Sequence, residues 1–234
     1  MQTCCYITNI YICLENKIEI IDSLFRQSSE EIEKIVNVCK ENNIEITGSV
    51  FLKSAEEIEK IVKVCRENNI EITGSVFLRS AEEIEKIVKV CKENNIEITG
   101  SVFLRSAEEI EKIIKVCKEN NIEITGSVFY KSAKQLQENI KYIKTNYGEE
   151  YLTPLIVSKN IKTLQKVLPY LKALGILEVV KTSASILLLT LEEIIERKEF
   201  IDSIGGNMVV DGKFNSIFGL SRKNYQLRKK SFSK

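Results

Sequence analysis

A tandem repeat of 26 residues constrains this chain more than any other feature of its sequence. Segment 54–79 reads SAEEIEKIVKVCRENNIEITGSVFLR, and nearly the same string fills 28–53, 80–105 and 106–131. Chains that repeat at such a period fold as stacked units, because one unit alone cannot bury its apolar face. We therefore expect a solenoid, and we use "column" for the residues at one position of successive units.

More divergent copies extend the array on both sides of the clean repeats. Cys13 lies one period before Cys39, which places the start of the first unit near residue 2. Downstream, the column of Ile58 continues at Leu136 with the same period, and then with wider spacing at Leu164, Ile194 and Tyr225. We predict one domain over 1–220, followed by a basic capping segment or tail at 221–234. Its eight units lie near 2–27, 28–53, 54–79, 80–105, 106–131, 132–159, 160–189 and 190–220.

Each unit begins with the signature of an amphipathic helix. Ser54 followed by Glu57 is typical of a capping box, in which each side chain satisfies a backbone donor near the other. An apolar stripe with helical spacing follows at Ile58, Ile61, Val62 and Cys65. Asn68 and Asn69 permit a helix end, since Asn tolerates the left-handed conformation; Gly175 and Gly205 take that position in later units.

The second half of each unit allows two interpretations. Ile44-Glu-Ile-Thr alternates like a strand, whereas Thr153-Pro154 in a divergent copy is typical of a helix start. The columns that stay apolar are the adjacent Val50 and Phe51, which a half-buried strand would not require. We predict an all-α, curved solenoid of two-helix units; the alternative is an α/β horseshoe with one strand and one helix per repeat.

The near-neutral charge of +1 hides a strongly basic end. Residues 211–234 hold seven cations and one acid, so the tail carries +6 and the rest of the chain −5. The helices also carry periodic Lys and Arg, which stacking would align into a track for phosphates. Alternatively, Glu56 pairs with Lys60 and Glu59 with Lys63, which predicts a solvated, self-neutralised face.

The candidate nucleic-acid-binding residues are the cations of the repeat columns and of the basic tail. They are Lys53, Lys60, Lys63, Arg66, Arg79, Lys86, Lys89, Lys92, Arg105, Lys112, Lys115, Lys118, Lys131, Arg222, Lys223, Arg228, Lys229 and Lys230. The clean repeats differ mainly by substitutions that conserve charge or volume, whereas a code of one base per repeat needs variable side chains. We therefore expect contact with the nucleic-acid backbone and little base-by-base readout.

Catalysis and metal binding are not expected. The chain has no His, and its recurrent serines, such as Ser49 and Ser75, are typical of structure because an active site is normally single. Cys65 and its column lie on the apolar stripe, one per repeat, which indicates small buried hydrophobes rather than metal ligands. We expect no enzyme activity, cofactor, metal or small-molecule substrate. No apolar run is long enough to cross a membrane, so we expect a cytoplasmic protein.

The divergent units resemble a known repeat family. Thr153-Pro154 leading a short apolar word, Leu174-Gly175 closing the next helix, and segment 185–205 are similar to the repeat of mitochondrial transcription termination factors (mTERF). The resemblance implies a curved helical solenoid that binds double-stranded DNA or RNA along a basic concave face. It is specific only in 153–205, where the scaffold positions match, and it transfers no base-contacting residue.

The sequence favours one function and leaves one alternative. The first is a non-enzymatic helical-repeat protein that binds DNA or RNA through the stacked Lys and Arg rows and the tail. The alternative is a protein–protein interaction scaffold with no nucleic-acid role, in which the charges serve only solubility.

Overall fold

A computed structural model describes residues 2–20, 24, 27–182, 184–204, 217 and 220–232. The described chain is all-α, with eleven α-helices and no strand, so the α/β horseshoe alternative is wrong for these residues. The helices are α1 (Gln2–Glu15), α2 (Ser29–Glu41), α3 (Ala55–Glu67), α4 (Ala81–Glu93), α5 (Ala107–Glu119), α6 (Ala133–Asn146), α7 (Pro154–Val157), α8 (Ile161–Ala173), α9 (Val179–Thr182), α10 (Leu191–Ser203) and α11 (Arg222–Phe232).

The short second element of the clean repeats is a single 3₁₀ turn rather than an α-helix. Val50 and Phe51 are buried in the first such turn and Leu52 is exposed, as the pattern of apolar columns predicted. In a divergent unit the equivalent segment is α7, which starts at Pro154 with the Thr153 hydroxyl accepting from the Ile156 amide. The 3₁₀ turns are Val50–Leu52, Val76–Leu78, Val102–Leu104, Gly126–Tyr130, Glu149–Tyr151 and Ala184–Leu188.

The long helices begin and end where the sequence predicts. The Ser54 hydroxyl accepts from the Glu57 amide at 3.2 Å, which satisfies one of the orphan donors at the start of α3. After α3, Asn69 adopts a φ of 54°, and Asn43, Asn95 and Asn121 do the same in their units. Gly175 ends α8 in the same left-handed region, whereas the helix end predicted at Gly205 lies outside the described residues.

The predicted capping box is only half present in the clean repeats. The carboxylate of Glu57 does not return to its own N-cap; it accepts the backbone N–H of Ala81, the first residue of α4, at 2.8 Å. Glu31 and Glu83 make the same bond to the helix of the following repeat. These carboxylates therefore join successive repeats, because each completes the cap of the next helix. A complete capping box occurs in α10, between Thr190 and Glu193.

The chain divides into two compact units. Unit 1 comprises Met1–Lys115 and Ile124–Ser132, and unit 2 comprises Val116–Glu123 and Ala133–Lys234. In unit 1, helices α1 to α4 pack consecutively, and the 3₁₀ turns also contact one another in chain order. Its core repeats one layer per helix, with Ile58, Ile61 and Cys65 fully buried in α3.

Close turn packing in unit 1 explains the Gly-Ser pair of each repeat. A Cβ built on Gly100 would lie 3.0 Å from the Ser75 hydroxyl oxygen of the preceding turn. That hydroxyl is itself held 2.9 Å from the hydroxyl of Thr73. The recurrent serines therefore serve turn stacking, as their identical recurrence indicated.

Unit 2 contains the divergent repeats. Leu136, Leu164 and Ile194, which the sequence places in the column of Ile58, are all fully buried. Helices α6 and α8 pack together, and α6 also contacts α7. In the described residues no helix is both long and apolar enough to span a bilayer.

Candidate nucleic-acid interface

The first lysine of each repeat helix is paired with an acid of its own helix. Lys60, Lys86 and Lys112 lie 2.5, 2.7 and 2.5 Å from the glutamate one turn earlier, namely Glu56, Glu82 and Glu108. The Glu56 carboxylate raises the pKa of Lys60 through this hydrogen bond, and the ammonium lowers the pKa of Glu56. Exposed pairs of this kind stabilise a fold very little, but each cancels one cation of the proposed track.

The second lysine faces forward along its helix, not backward. Lys63 lies 4.0 Å from Glu67, and Lys89 lies 4.0 Å from Glu93. The predicted Glu59–Lys63 pair is therefore wrong. Both lysines remain about three-quarters exposed, so they are better placed for a ligand than Lys60 and its equivalents. Lys115, in the same column, is exposed too.

The column of Arg66 lies near the end of each helix, and two of its cations, Lys40 and Lys92, bond to the preceding repeat. Lys92 donates to the side-chain oxygen of Asn68 in the preceding unit at 2.7 Å, and Lys40 donates to Asn16 in the same way. Arg66 and Lys118 are exposed. This column thus contributes to contacts between repeats as well as to surface charge.

Two of the cations that precede a helix, Arg79 and Arg105, satisfy backbone acceptors of the next turn. The Nε of Arg79 donates to the carbonyl of Phe103 at 2.8 Å, and that of Arg105 donates to the carbonyl of Phe129 at 2.9 Å. Gln27, the uncharged residue of this column, donates to the carbonyl of Phe51 at 3.1 Å. At these three positions the bond needs a long side chain with an N–H donor; it does not need a charge.

The remaining members of this column are Lys53 and Lys131, both half-buried. Among the described residues, the four cations at Lys53, Arg79, Arg105 and Lys131 form no ion pair, in contrast to Lys60 and its equivalents. The positive charge of this column is consequently less compensated than that of the helix faces.

The basic end of the chain forms helix α11. Tyr225 is only 2% exposed, with its ring against Phe200 and the guanidinium of Arg197. Lys229 is drawn inward, since it lies 2.9 Å from Glu196. The other predicted cations of this segment, Arg222, Lys223, Arg228 and Lys230, are exposed. Lys213 and Lys234, which contribute to the charge of the tail, lie outside the described residues.

Three buried polar side chains were missed by the sequence reasoning: Asn9, Asn139 and Arg197. All three fall in the column of Ile61, where the clean repeats have Ile. Asn139 donates to the carbonyls of Val157 and Lys159, and Arg197 to those of Ile217 and Leu220. These helical side chains therefore satisfy backbone carbonyls of a following turn, as Arg79 does from its own turn. A polar residue in an otherwise apolar column was the feature of the sequence that could have predicted these buried polar side chains.

A tyrosine cluster in unit 2 was also missed. The rings of Tyr142, Tyr147 and Tyr151 form successive edge-to-face pairs, and the hydroxyl of Tyr151 donates to the carboxylate of Glu178. Burial, and then this bond, raises the pKa of Tyr151 to about 12. In the clean repeats Val64 stands in the column of Tyr142 and Asn69 in that of Tyr147, so no repeat column indicated the cluster.

Unit 2 also has an open groove of about 380 Å³ on the surface of α6. Its lining residues are Asn120, Gln137, Ile140, Lys141, Lys144 and Thr145. The groove is shallow and brings together no acid–base pair, and Lys144 is engaged by Glu149 at 2.8 Å. It therefore offers a weak basis for a small-molecule site.

The repeat cysteines are buried, as the stripe predicted. Cys39, Cys65, Cys91 and Cys117 are fully inaccessible and carry free thiols. Burial raises the pKa of each of them to about 11. Within the described part of the chain, no three His, Cys, Asp or Glu side chains cluster in a way that could hold a metal.

Comparison of the chain with protein-family models, with curated proteins and with solved structures finds no match. The resemblance to the mTERF repeat therefore stays a prediction.

Proposed function

We propose that this chain is a non-enzymatic helical-repeat protein whose stacked units form a solenoid that binds a protein partner. The solenoid is supported by the regular helix spacing and by the consecutive packing of α1 to α4. The preference for a protein partner is supported by the charge arrangement of the repeat surface.

The observation that carries the proposal is the local neutralisation of the repeat cations. Repeat 54–79 contains five acids and four bases, so each added copy contributes a net charge of −1. The structure pairs Lys60 with Glu56 and brings Lys63 near Glu67, so the acids lie within the rows of lysines. A polyanion approaching these helices meets carboxylates as often as ammonium groups, and affinity for phosphate backbones requires an excess of cations.

A nucleic-acid titration with salt variation tests this proposal. The full chain should retain labelled duplex DNA or RNA only weakly, even at about 50 mM salt, where a polycation would bind tightly. Replacement of Lys63, Lys89 and Lys115 by Gln should leave this weak binding unchanged. Tight binding with a steep salt dependence that is lost in this triple variant would overturn the proposal and favour the polyanion track.

A second candidate function, contact with nucleic acid, is favoured by helix α11 alone. Its exposed Arg222, Lys223, Arg228 and Lys230 occupy a short helix with no acid of its own. Four cations on one helix supply phosphate contacts without the compensation seen in the repeats. The test is replacement of these four residues by Gln: a large loss of nucleic-acid retention supports the candidate, and no change removes it.

A further inference from the structure

The 3₁₀ turns of unit 1 present a second surface, distinct from the helix faces. In four successive turns an apolar side chain points outward and a cation follows it in the sequence. Leu52, Leu78 and Tyr130 are 49%, 43% and 61% exposed, and Leu104 is half-buried. Because successive turns contact one another, these positions form a row. We call the four apolar residues and the cation after each the turn ridge.

The fold does not require an apolar residue in the column of Leu52. The same column contains Arg26 in the first unit and Ser158 in a later one, while the neighbouring Val50 and Phe51 fill the core. Exposed apolar side chains that add nothing to the core are typical of an interaction surface when they are contiguous.

The charge of the turn ridge is also uncompensated. Its cations form no ion pair among the described residues, and the two acids that follow Lys53 in the chain are already engaged. In the repeat of α3, Glu56 binds Lys60 and Glu57 accepts the amide of Ala81. The guanidinium of Arg105 lies across two turns and bonds the carbonyls of Phe129 and Tyr130. A row of cations beside a row of apolar groups complements a partner with acidic and apolar side chains.

We propose that the turn ridge of unit 1 binds an extended, acidic peptide segment that also carries apolar side chains. This proposal rests on the proposed function as a protein-binding repeat, and it names the partner's chemistry. Packed helices lie about 8–10 Å apart and an extended chain rises about 3.3 Å per residue, so three peptide residues match one repeat. A segment of about ten residues therefore spans the four turns.

The apolar residues of the ridge favour a peptide over nucleic acid. Single-stranded nucleic acids are held by bases stacked on aromatic rings, whereas three of the four apolar residues of the ridge are leucines. Leucine side chains instead form contacts with apolar side chains of a partner. Tyr130 alone provides a ring, and it lies at one end of the row.

The chain itself offers substitutions that remove ridge charge without removing the structural bond. Gln27 already occupies this column and donates to the equivalent backbone acceptor, so Arg79→Gln and Arg105→Gln should preserve turn stacking. Lys131→Gln removes a third charge from a side chain that makes no such bond among the described residues. A second variant replaces the three leucines by Ser, the residue at Ser158. The matched control removes three charges from the helix faces, at Lys63, Lys89 and Lys115.

The test is fluorescence anisotropy with a labelled probe peptide of about twelve residues that alternates Glu and Leu. We expect the ridge-charge variant and the leucine variant each to weaken binding by about tenfold or more, and the helix-face control by less than about twofold. Circular dichroism verifies that all variants remain helical.

Three outcomes would overturn the ridge proposal: no binding of the probe by the native chain, equal losses in ridge and control variants, or ridge-dependent binding of duplex RNA in place of the peptide. If a protein partner binds the ridge variants with the same affinity as the native chain, the ridge proposal is wrong and the proposed function is unaffected. Tight nucleic-acid binding through the helix faces would overturn the proposed function instead.

Discussion

Removal of the carboxylate at Glu57 should uncouple two neighbouring repeats. The side chain accepts the backbone N–H of Ala81 at 2.8 Å, at the positive end of α4. A hydrogen bond to a charged group contributes about 1.5–3 kcal/mol to stability, so Glu57→Ala should lower the free energy of unfolding by that amount. Glu57→Gln keeps an acceptor and loses only the charge near the helix dipole, which is worth about 0.3–1 kcal/mol.

Glu59 supplies the matched control, since it is exposed on the same helix and no described partner engages it. Urea unfolding monitored by circular dichroism gives the free energies, and amide hydrogen exchange at Ala81 reports the bond itself. We expect faster exchange at Ala81 in Glu57→Ala than in Glu59→Ala. Equal losses of stability in the two variants, with unchanged exchange at Ala81, would refute the assignment of Glu57 as the link between repeats.

Three further predictions concern the core, the turns and the tyrosine cluster. Burial raises the pKa of Cys65 to about 11, so only about one thiol in a thousand is ionised near pH 8. A thiol reagent should therefore modify this column only after denaturation, and fast labelling of the native chain would contradict this. Gly126→Ala places a Cβ 2.9 Å from the Ser101 hydroxyl oxygen and should lower the free energy of unfolding in urea by about 1–2 kcal/mol. Adding Ser101→Ala should restore part of this stability. If the two substitutions instead destabilise the chain additively, the clash is excluded. The pKa of Tyr151 is raised from 10.0 to about 12, so this side chain ionises in the unfolded chain before it does in the folded one. The stability of unit 2, measured by circular dichroism, should therefore fall as pH rises from about 10 to about 12. The same loss in Tyr151→Phe would rule out this residue as the cause.

The sequence predicted what depends on neighbours along the chain. Ser54 and Asn69 mark a helix start and end because their contacts are local, and both are confirmed. The adjacent burial of Val50 and Phe51 distinguished a turn of helix from a strand, although not a 3₁₀ turn from an α-helix.

What the sequence could not show depends on contacts between repeats. Glu57 has a local partner in the capping-box pattern, but the Ala81 amide of the next repeat competes for it and takes the bond. From the sequence alone, Arg79 is interpreted as a phosphate ligand. In the structure it donates to the carbonyl of Phe103 in the next turn. The hydrogen-bond partners of Glu57 and Arg79 depend on the distance between stacked repeats, and this distance cannot be derived from the spacing of residues in the sequence.

Deletion of one whole repeat tests whether each 26-residue segment is an interchangeable structural unit joined by the same contacts. Removal of 80–105 joins Arg79 to Ser106, so Glu57 can cap the amide of Ala107 and Arg79 can reach the carbonyl of Phe129. We expect a cooperatively unfolding chain with unchanged helicity per residue and lower total stability, as in a one-dimensional array. Loss of helicity or of cooperative unfolding in this deletion variant, measured by circular dichroism during urea denaturation, would contradict it.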